Sequence, residues 1–232
     1  MFPTGAMSTM SLVIPLHQGE RFIAEAIGSV LAQEEPPHEL IVVDDGSTDR
    51  GPEIAAAIPE VSLLRQENHG PGAARNRGVA ASTGELIAFL DQDDLLRPAA
   101  LRRHREALEG DPDAMISVGR QRFDLLEGEA RPPWQRPELL GEEIVAWTPS
   151  AICVRRTIFE AAGMFDESLQ ATSDLLWFQR VRSSGVRAVE LDETLVDRRV
   201  HAGCQSADAS TIRREMLEVF RRAAAVKRER GA

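Results

Sequence analysis

Short apolar runs alternate with stretches of helical spacing through the first hundred residues. The apolar runs have the length and composition of buried strands, and they cover residues 11–16, 39–44, 61–65 and 86–90. Apolar residues recur at helical spacing over residues 20–33, and a short Ala-rich segment and residues 72–81 follow the next two runs as helices. This β-α-β-α-β-α-β order predicts an α/β fold with a mostly parallel sheet flanked by helices on both faces.

The pattern weakens after Leu101. A charged helix runs to about Leu108, and a Pro- and charge-rich segment at residues 127–137 predicts a mobile or functional loop. The other predicted elements are apolar stretches at 114–118 and 147–154, helices at 158–162 and 173–184, and a strand at 186–191.

The last stretch, residues 211–230, predicts an amphipathic helix. Many Arg residues lie on one face, and the apolar face carries Ile212, Met216, Val219 and Phe220. We expect this helix to pack on its own domain, with an anionic membrane or partner as the alternative.

Carboxylates follow two of the predicted strands at the point where each strand ends. Asp91, Asp93 and Asp94 follow residues 86–90, and Asp44-Asp45 ends the strand at 39–44. Ligands of open α/β sheets bind at the carboxyl ends of strands, and clustered carboxylates there suit Mg²⁺ or Mn²⁺. The alternative is that the acids form turns, or cap a helix that begins near Pro98.

Composition narrows the range of partners. The chain has 232 residues, 43% of them apolar, and a formal net charge of −10 that disfavours nonspecific binding of nucleic acid. Its two cysteines, Cys153 and Cys204, form neither a zinc pattern nor a disulfide framework, which favours a reduced, cytoplasmic setting. We find no leader sequence or transmembrane run, so any contact with the inner face of the membrane is expected to be peripheral.

Four segments occur in an order typical of one enzyme family. They are Leu12-Val-Ile-Pro-Leu-His17, Ile41-Val-Val-Asp-Asp-Gly-Ser-Thr-Asp49, Asn68-His-Gly-Pro-Gly-Ala-Ala-Arg-Asn-Arg-Gly78 and Gly84 through Asp94. The chain resembles the inverting family 2 glycosyltransferases of the GT-A fold, and the resemblance reappears at Gly163-Met-Phe-Asp-Glu167 and Arg199-Val-His201. A dinucleotide-binding fingerprint is disfavoured, because Arg75 stands where its third glycine belongs.

The resemblance implies a Rossmann-like half that binds a nucleotide sugar and a smaller half that binds the acceptor. The donor nucleotide, expected to be UDP, would contact Pro15, His17, Asp44, Asp45, Arg75 and Asp91. Mn²⁺ or Mg²⁺ would bind Asp93 and His201, while Asp94 and Ser173 would have acceptor-side or supporting roles. The acceptor would be a glycan, a lipid-linked molecule or a small molecule. For Arg77, a phosphate contact and a solvated helix face are both open.

The resemblance implies that Asp174 is the catalytic base, which accepts the acceptor proton as the sugar inverts. Relatives have a Glu-Asp pair here, whereas this chain has Ser173-Asp174, so Ser173 replaces the Glu. The alternative is that Asp174 only caps its helix. Two other functions stay open: a catalytically silent nucleotide-sugar-binding scaffold and a nucleotidyltransferase.

Four segments are expected within a single GT-A domain. These are a disordered segment at 1–10, the nucleotide-sugar-binding half at 11–100, the acceptor-binding and catalytic half at 101–206, and the C-terminal basic helix at 207–232.

Overall fold

The computed structural model describes residues 7–132, 135–203 and 209–230, which form one mixed sheet with helices on both faces. The strands are β1 Met10–Leu16, β2 Glu39–Asp45, β3 Val61–Gln66, β4 Leu86–Phe89, β5 Leu95–Leu96, β6 Ala114–Leu125, β7 Glu143–Val145, β8 Ile152–Arg155 and β9 Arg187–Val200. The α-helices are α1 Ile23–Leu31, α2 Gly51–Ala56, α3 Gly70–Ala81, α4 Ala100–Gly110, α5 Ile158–Ala162, α6 Ser173–Ser183 and α7 Ala209–Arg230. Short 3-10 helices cover Pro137–Leu139 and Pro149–Ala151.

The first half of the sheet is parallel, as the sequence predicts. Strands β3, β2, β1 and β4 lie side by side in that order, and Leu16 at the end of β1 pairs with Asp44 at the end of β2. Helices α1, α2 and α4 contribute to the core cluster on one face, while α3, α5 and α6 contribute to the cluster on the other. The α/β class is therefore confirmed, and the carboxyl ends of the parallel strands share one edge.

The second half of the sheet is joined to the first through β8. This strand runs antiparallel to both β4 and β6, so Cys153 pairs in register with Ala88 on one side and Ser117 on the other. Cys153 is fully buried, and burial raises the pKa of its thiol to about 12. Cys204 lies outside the described residues. The two halves thus share one continuous sheet.

Strand β9 extends well beyond the predicted residues 186–191. It pairs with β6 along most of its length, and its charged residues form ion pairs with neighbouring elements. Arg103 binds Glu193, Arg120 binds Asp192, and Arg97 binds Asp197. An apolar pattern cannot reveal a strand whose charged residues form ion pairs with neighbouring elements, which is why the strand predicted from the sequence was too short.

The acids after β4 do not cap α4, because the two-residue strand β5 intervenes. Leu95 and Leu96 pair antiparallel with Asp197 and Val196 of β9, and α4 begins only at Ala100. This pairing sets the acidic turn at 91–94 beside the end of β9. The capping interpretation of these acids was therefore wrong.

Both termini depart partly from expectation. Residues 1–6 lie outside the described residues, but Met10 is the fully buried first residue of β1, so a disordered segment extending to residue 10 is wrong at its end. Helix α7 packs on the domain, where Val219 contacts Leu169 and Leu176. The side chain of Phe220 lies outside the described residues. Among the helices in the described ranges, none has the length and apolarity needed to cross a bilayer.

Candidate active site

A cleft of about 710 Å³ opens at the carboxyl ends of β1, β2 and β4. All the site residues in the predicted set except Asp44 line it. They are Pro15, His17, Asp45, Arg75, Asp91, Asp93, Asp94, Ser173, Asp174 and His201. Loop residues from the Pro- and charge-rich segment reach the cleft as well, since Glu129 lines it and forms an ion pair with Arg21 at 2.6 Å.

Asp45 fixes the amino end of α3 against the cleft. One of its carboxylate oxygens accepts hydrogen bonds from the Gln66 side chain and the His69 backbone N–H, both at 2.8 Å. The other accepts the Gly70 backbone N–H at 2.8 Å. Gly70 has φ +86°, a left-handed conformation that glycine adopts without a steric penalty. The carboxylate is buried and held in place by these bonds at the end of β2.

Asp44 does not join Asp45 in the cleft. Its Oδ1 accepts the backbone N–H of Ser47 at 2.9 Å, and Arg65 lies 3.9 Å from its Oδ2. Neighbouring residues of a strand point to opposite faces, so two adjacent acids cannot both face one cleft. The donor-contact expectation for Asp44 is corrected to a turn-forming role.

His17 offers an aromatic ring at the end of β1. Its Nδ1 lies 3.0 Å from the backbone oxygen of Asp45, and the side-chain nitrogen of Asn68 lies 3.2 Å from its Nε2. The Gln92 side chain accepts from the His17 N–H and donates to the His17 carbonyl, both at 2.8 Å. These bonds join the ends of β1 and β4 and fix the histidine backbone.

Arg75 reaches from α3 to the acidic turn. Its guanidinium donates to Asp91 Oδ1 at 2.5 Å and lies 5.7 Å from the centre of the Phe165 ring. Arg75 is 5% exposed and its Nε has no hydrogen-bond partner, whereas Arg77 is solvent-exposed. The structure therefore brings Arg75, the predicted donor contact, to the cleft and leaves Arg77 on a solvated helix face.

Asn76 connects two of the segments that carry the family resemblance. Its side-chain oxygen accepts the Phe165 N–H at 3.0 Å, and its nitrogen donates to the Phe165 carbonyl at 3.0 Å and to Glu167 at 2.8 Å. Sequence reasoning missed this residue, although its place between Arg75 and Arg77 is a signal. Asn76 fixes the segment that leads into α6.

Asp93 and His201 meet across the cleft, with Oδ2 and Nε2 3.1 Å apart. Burial tends to raise the pKa of Asp93, but the hydrogen bond and Coulombic contact with His201 and the charge of Arg198 outweigh it, so its pKa is lowered. The Arg199 Nε donates to the Asp93 carbonyl at 2.5 Å, which holds the acidic turn to the end of β9. Arg199 and His201 of the Arg-x-His segment thus both hold the acidic turn at 91–94.

Asp94 lies in the cleft wall, and its side chain is almost fully buried. Burial, and then the negative charge of Asp93, raise the pKa of Asp94 well above its usual range. Ser150 donates to Asp94 Oδ2 at 2.8 Å and accepts the Asp91 backbone N–H at 3.0 Å. Sequence reasoning missed Ser150, whose 3-10 helix has no acidic or glycine-rich signal.

Arg198 is the other functional residue that the sequence did not reveal. Burial tends to lower the pKa of its guanidinium, but the charges of four cleft acids outweigh burial and raise it. Those acids are Asp94, Asp91, Asp93 and Asp174. The guanidinium also packs 5.7 Å from the Phe123 ring centre. Arg198 therefore lies near both the acids of the turn at 91–94 and the predicted base.

Asp174 lies at the first turn of α6, half-buried in the cleft wall. Burial raises the pKa of Asp174, although the nearby charge of Arg75 opposes the rise. Its neighbour Ser173 is buried against α3, where a Cβ on Gly72 would lie 2.8 Å from the serine hydroxyl. The tight contact explains why a small residue, rather than Glu, fits at position 173.

Asp93 and His201 are the predicted metal ligands. Within the described ranges, no three His, Cys, Asp or Glu side chains cluster closely enough to bind a metal by themselves. Asp93 and His201 nevertheless provide a carboxylate and an imidazole on the cleft side of the turn. Mg²⁺ and Mn²⁺ commonly complete their coordination with substrate phosphates and water. The residues fit a metal that binds together with a diphosphate, and metal binding stays a prediction.

The sheet, its order and the acidic cleft define a GT-A-type α/β protein. A family model described as glycosyl transferase family 2 matches residues 11–166. The chain belongs to that family.

Curated relatives agree with the family assignment. The chain is 32% identical over 208 residues to an uncharacterized glycosyltransferase of Rickettsia typhi, covering 83% of this chain and 64% of the relative. It is 39% identical over 133 residues to the succinoglycan biosynthesis protein ExoO of Rhizobium meliloti, covering 56% of this chain and 38% of ExoO. The chain thus spans less than two thirds of the length of these relatives.

Solved structures of S. aureus TarS have the same fold. The TarS 1-349 complex with UDP-GlcNAc has a TM-score of 0.70 and 21% identity, covering 87% of this chain and 61% of that chain. The complex with UDP has a TM-score of 0.67 and 20% identity, covering 84% and 61%. At this identity the likeness supports the fold.

Proposed function

We propose that the chain transfers a sugar, with inversion, from a UDP-sugar to an acceptor hydroxyl. The observation that carries the proposal is one cleft in which Asp45, the acidic turn, His201 and Asp174 come together. A nucleotide, a diphosphate and a base site are the three requirements of such a transfer. The TarS complexes with UDP and UDP-GlcNAc support the choice of donor.

The nucleotide is assigned to the β1 and β2 side of the cleft. Pro15 and the His17 ring offer a surface for the base, and Asp45 offers carboxylate oxygens beside it. Arg75, paired with Asp91 and backed by Phe165, can exchange part of that ion pair for ribose or phosphate oxygens. Asp44 has no part in this site, because its carboxylate forms the turn that follows β2.

The diphosphate is assigned to the acidic turn. Asp93 and His201 would hold Mn²⁺ or Mg²⁺, which when bound neutralises charge that develops on a leaving diphosphate. Arg198 supplies a second positive charge in the same place, fixed to the protein. Asp94, kept behind the turn by Ser150, orients the turn rather than contacting the donor.

Asp174 is assigned as the base. A carboxylate with a raised pKa is a stronger proton acceptor than a solvated one, which suits deprotonation of an attacking hydroxyl. In our proposal the acceptor oxygen attacks the anomeric carbon from the side opposite the diphosphate, its proton passes to Asp174, and the leaving group takes the bonding electrons. The name of ExoO, a succinoglycan biosynthesis protein, supports a glycan acceptor.

A catalytically silent nucleotide-sugar-binding protein is the second candidate. The observation that favours it is Ser173, which replaces a carboxylate expected beside the base. The two candidates share the donor site and differ only in turnover, so binding and turnover must be measured on the same protein.

Calorimetry with UDP, GDP, dTDP and CDP, with Mn²⁺ and with chelator, tests the donor site. We expect UDP to bind most tightly and to lose affinity with chelator. Release of UDP from UDP-GlcNAc, with water or a glycan as acceptor, tests turnover. Asp174→Asn should abolish that release and keep UDP affinity, while the exposed control Asp113→Asn should change neither. Turnover by Asp174→Asn would refute the assignment of Asp174 as the base. Failure of the wild type to bind any of the four nucleotides would refute the donor site.

A further inference from the structure

Glu215 of α7 accepts hydrogen bonds from three successive backbone N–H groups of the loop before α6. Its two carboxylate oxygens accept the backbone N–H groups of Gln170 at 2.8 Å, Ala171 at 2.9 Å and Thr172 at 3.0 Å. The Thr172 hydroxyl donates to the same carboxylate at 3.0 Å. The loop therefore has three successive N–H groups that converge on one anion, which is the geometry of a backbone nest.

This carboxylate is an unexpected group for a packing surface. Glu215 is 6% exposed, and burial of a charge is unfavourable unless hydrogen bonds replace its water. One turn further along α7, Val219 makes the ordinary apolar contact with Leu169 and Leu176. Packing alone would be served by another apolar residue at 215, so the carboxylate indicates a specific requirement of the loop.

The loop that Glu215 holds is part of the cleft. Gln170 and Ala171 line the cleft themselves, and Thr172 directly precedes Ser173 and Asp174 at the start of α6. The backbone of Asp174 is therefore only two residues from a group bound by Glu215.

A second contact ties the beginning of the same loop to α7. Arg222 binds Asp166 Oδ2 at 2.5 Å, and Asp166 in turn accepts the Ser168 backbone N–H at 3.0 Å. Burial tends to raise the pKa of Asp166, but its bonds to Ser168 and Arg222 outweigh burial and lower it. Helix α7 thus holds the loop at both ends, at Asp166 and at Thr172.

We propose that Glu215 is a positioning residue for the base: by binding the 170–172 backbone it fixes the first turn of α6 and so the carboxylate of Asp174. This inference rests on the proposed function of Asp174. Ser173 brings no charge to this loop, and Glu215 provides a carboxylate from a different element. A basic amphipathic helix outside both halves therefore acts on the site through one acidic side chain.

The test compares three variants of the full chain with the wild type. Glu215→Gln keeps the shape but sets an amide against the backbone donors, and Glu215→Asp keeps the charge on a side chain one methylene shorter. Glu53→Gln, at an exposed site on α2, is the control for replacing a glutamate carboxylate by an amide. Amide hydrogen exchange at residues 170–172, the NMR titration of the Asp174 carboxyl, UDP affinity and UDP-GlcNAc turnover are measured for each.

In Glu215→Gln we expect exchange at 170–172 to become at least ~10-fold faster and turnover to fall ~10- to 100-fold, since small misplacement of a reacting group has effects of this size. The pKa of Asp174 should return toward its usual value as the loop opens to water, and UDP affinity should stay within ~2-fold. Glu215→Asp should be intermediate, and Glu53→Gln should match the wild type.

Two results would overturn the proposal. Unchanged exchange in Glu215→Gln would show that the contact does not hold the loop. Faster exchange with an unchanged Asp174 titration would show a structural role only, and Glu215→Asp decides the question if the Gln variant does not fold. Failure of the wild type to bind UDP would instead refute the proposed function, while exchange and titration would still decide the role of Glu215.

Discussion

His104 should make the protein sensitive to mild acid. The imidazole is fully enclosed between α4 and the sheet, its Nδ1 lies 2.8 Å from the Ser117 hydroxyl, and its Nε2 has no partner. Because Ser117 donates its own proton to the Cys153 carbonyl, the histidine must donate from Nδ1. A second proton would then be a buried, unpaired charge, and burial lowers the pKa of His104 to about 3.

The size and sign of the effect follow from linkage. The unfolded chain binds a proton near pH 6.5, whereas the folded chain resists it until about pH 3, so the free energy of unfolding falls as pH drops through that window. The slope is about 1.4 kcal/mol per pH unit, which gives a loss of about 2 kcal/mol at pH 5 and about 3 kcal/mol at pH 4. Above pH 6.5 both states are neutral at this site and the effect vanishes.

Urea unfolding between pH 7.5 and pH 4 measures the effect. His104→Leu should change the stability at pH 7 by less than about 1.5 kcal/mol and should remove most of the acid loss, so its advantage over the wild type grows as pH falls. His38→Gln, at an exposed site, is the control for loss of an imidazole. If the free energy of unfolding of His104→Leu fell with pH in parallel with that of the wild type, the assignment of the acid sensitivity to His104 would be refuted.

Three further predictions concern the cleft and the core. Ser150→Ala should cost about 2–4 kcal/mol in urea unfolding, because it leaves Asp94 and the Asp91 N–H without their partner, and a loss below about 1 kcal/mol would contradict the pairing. Gly78→Ala should destabilise by about 1–3 kcal/mol, since its Cβ would lie 2.3 Å from Val13 Cγ1. Gly28→Ala, with open space around it, should instead stabilise by about 0.5–1 kcal/mol, and equal effects would refute this packing argument. Arg198→Gln should weaken UDP binding about 10-fold by calorimetry while exposed Arg77→Gln does not, and equal affinities would remove Arg198 from the donor site.

The sequence predicted the parts of the site that follow from local pattern. Asp45, Asp91 and Asp93 are visible because each comes at the end of an apolar strand, and parallel strands bring those ends to one edge. The family resemblance supplied Asp174 and His201, which no local pattern connects to that edge. Asp44 could have been excluded from the donor site on the sequence alone, because side chains alternate along β2 and Asp44 and Asp45 must point to opposite faces.

The missed residues depend on contacts between distant segments. Ser150 belongs to a segment without a motif, and Arg198 lies just outside the Arg-x-His motif. They reach the acids because Pro149–Ala151 leads into β8 and because β5 pairs with β9. Glu215 looks like a solvent-exposed charge on a basic helix until the loop at 170–172 is seen to face it. Periodicity describes which face of an element is buried, but it carries no information about which backbone donors the opposite element presents.

The buried thiol of Cys153 gives the protein an internal reporter of sheet opening. Alkylating reagents attack thiolates, and this thiol has a pKa raised to about 12 by complete burial, so it should not react while β8 stays between β4 and β6. In a Cys204→Ser chain, the rate of alkylation then measures how often the two halves separate. A nucleotide that contacts both halves, as in the proposed function, should slow this alkylation at saturation. The alkylation rate of Cys153 would then report nucleotide binding in a cleft that Cys153 does not line.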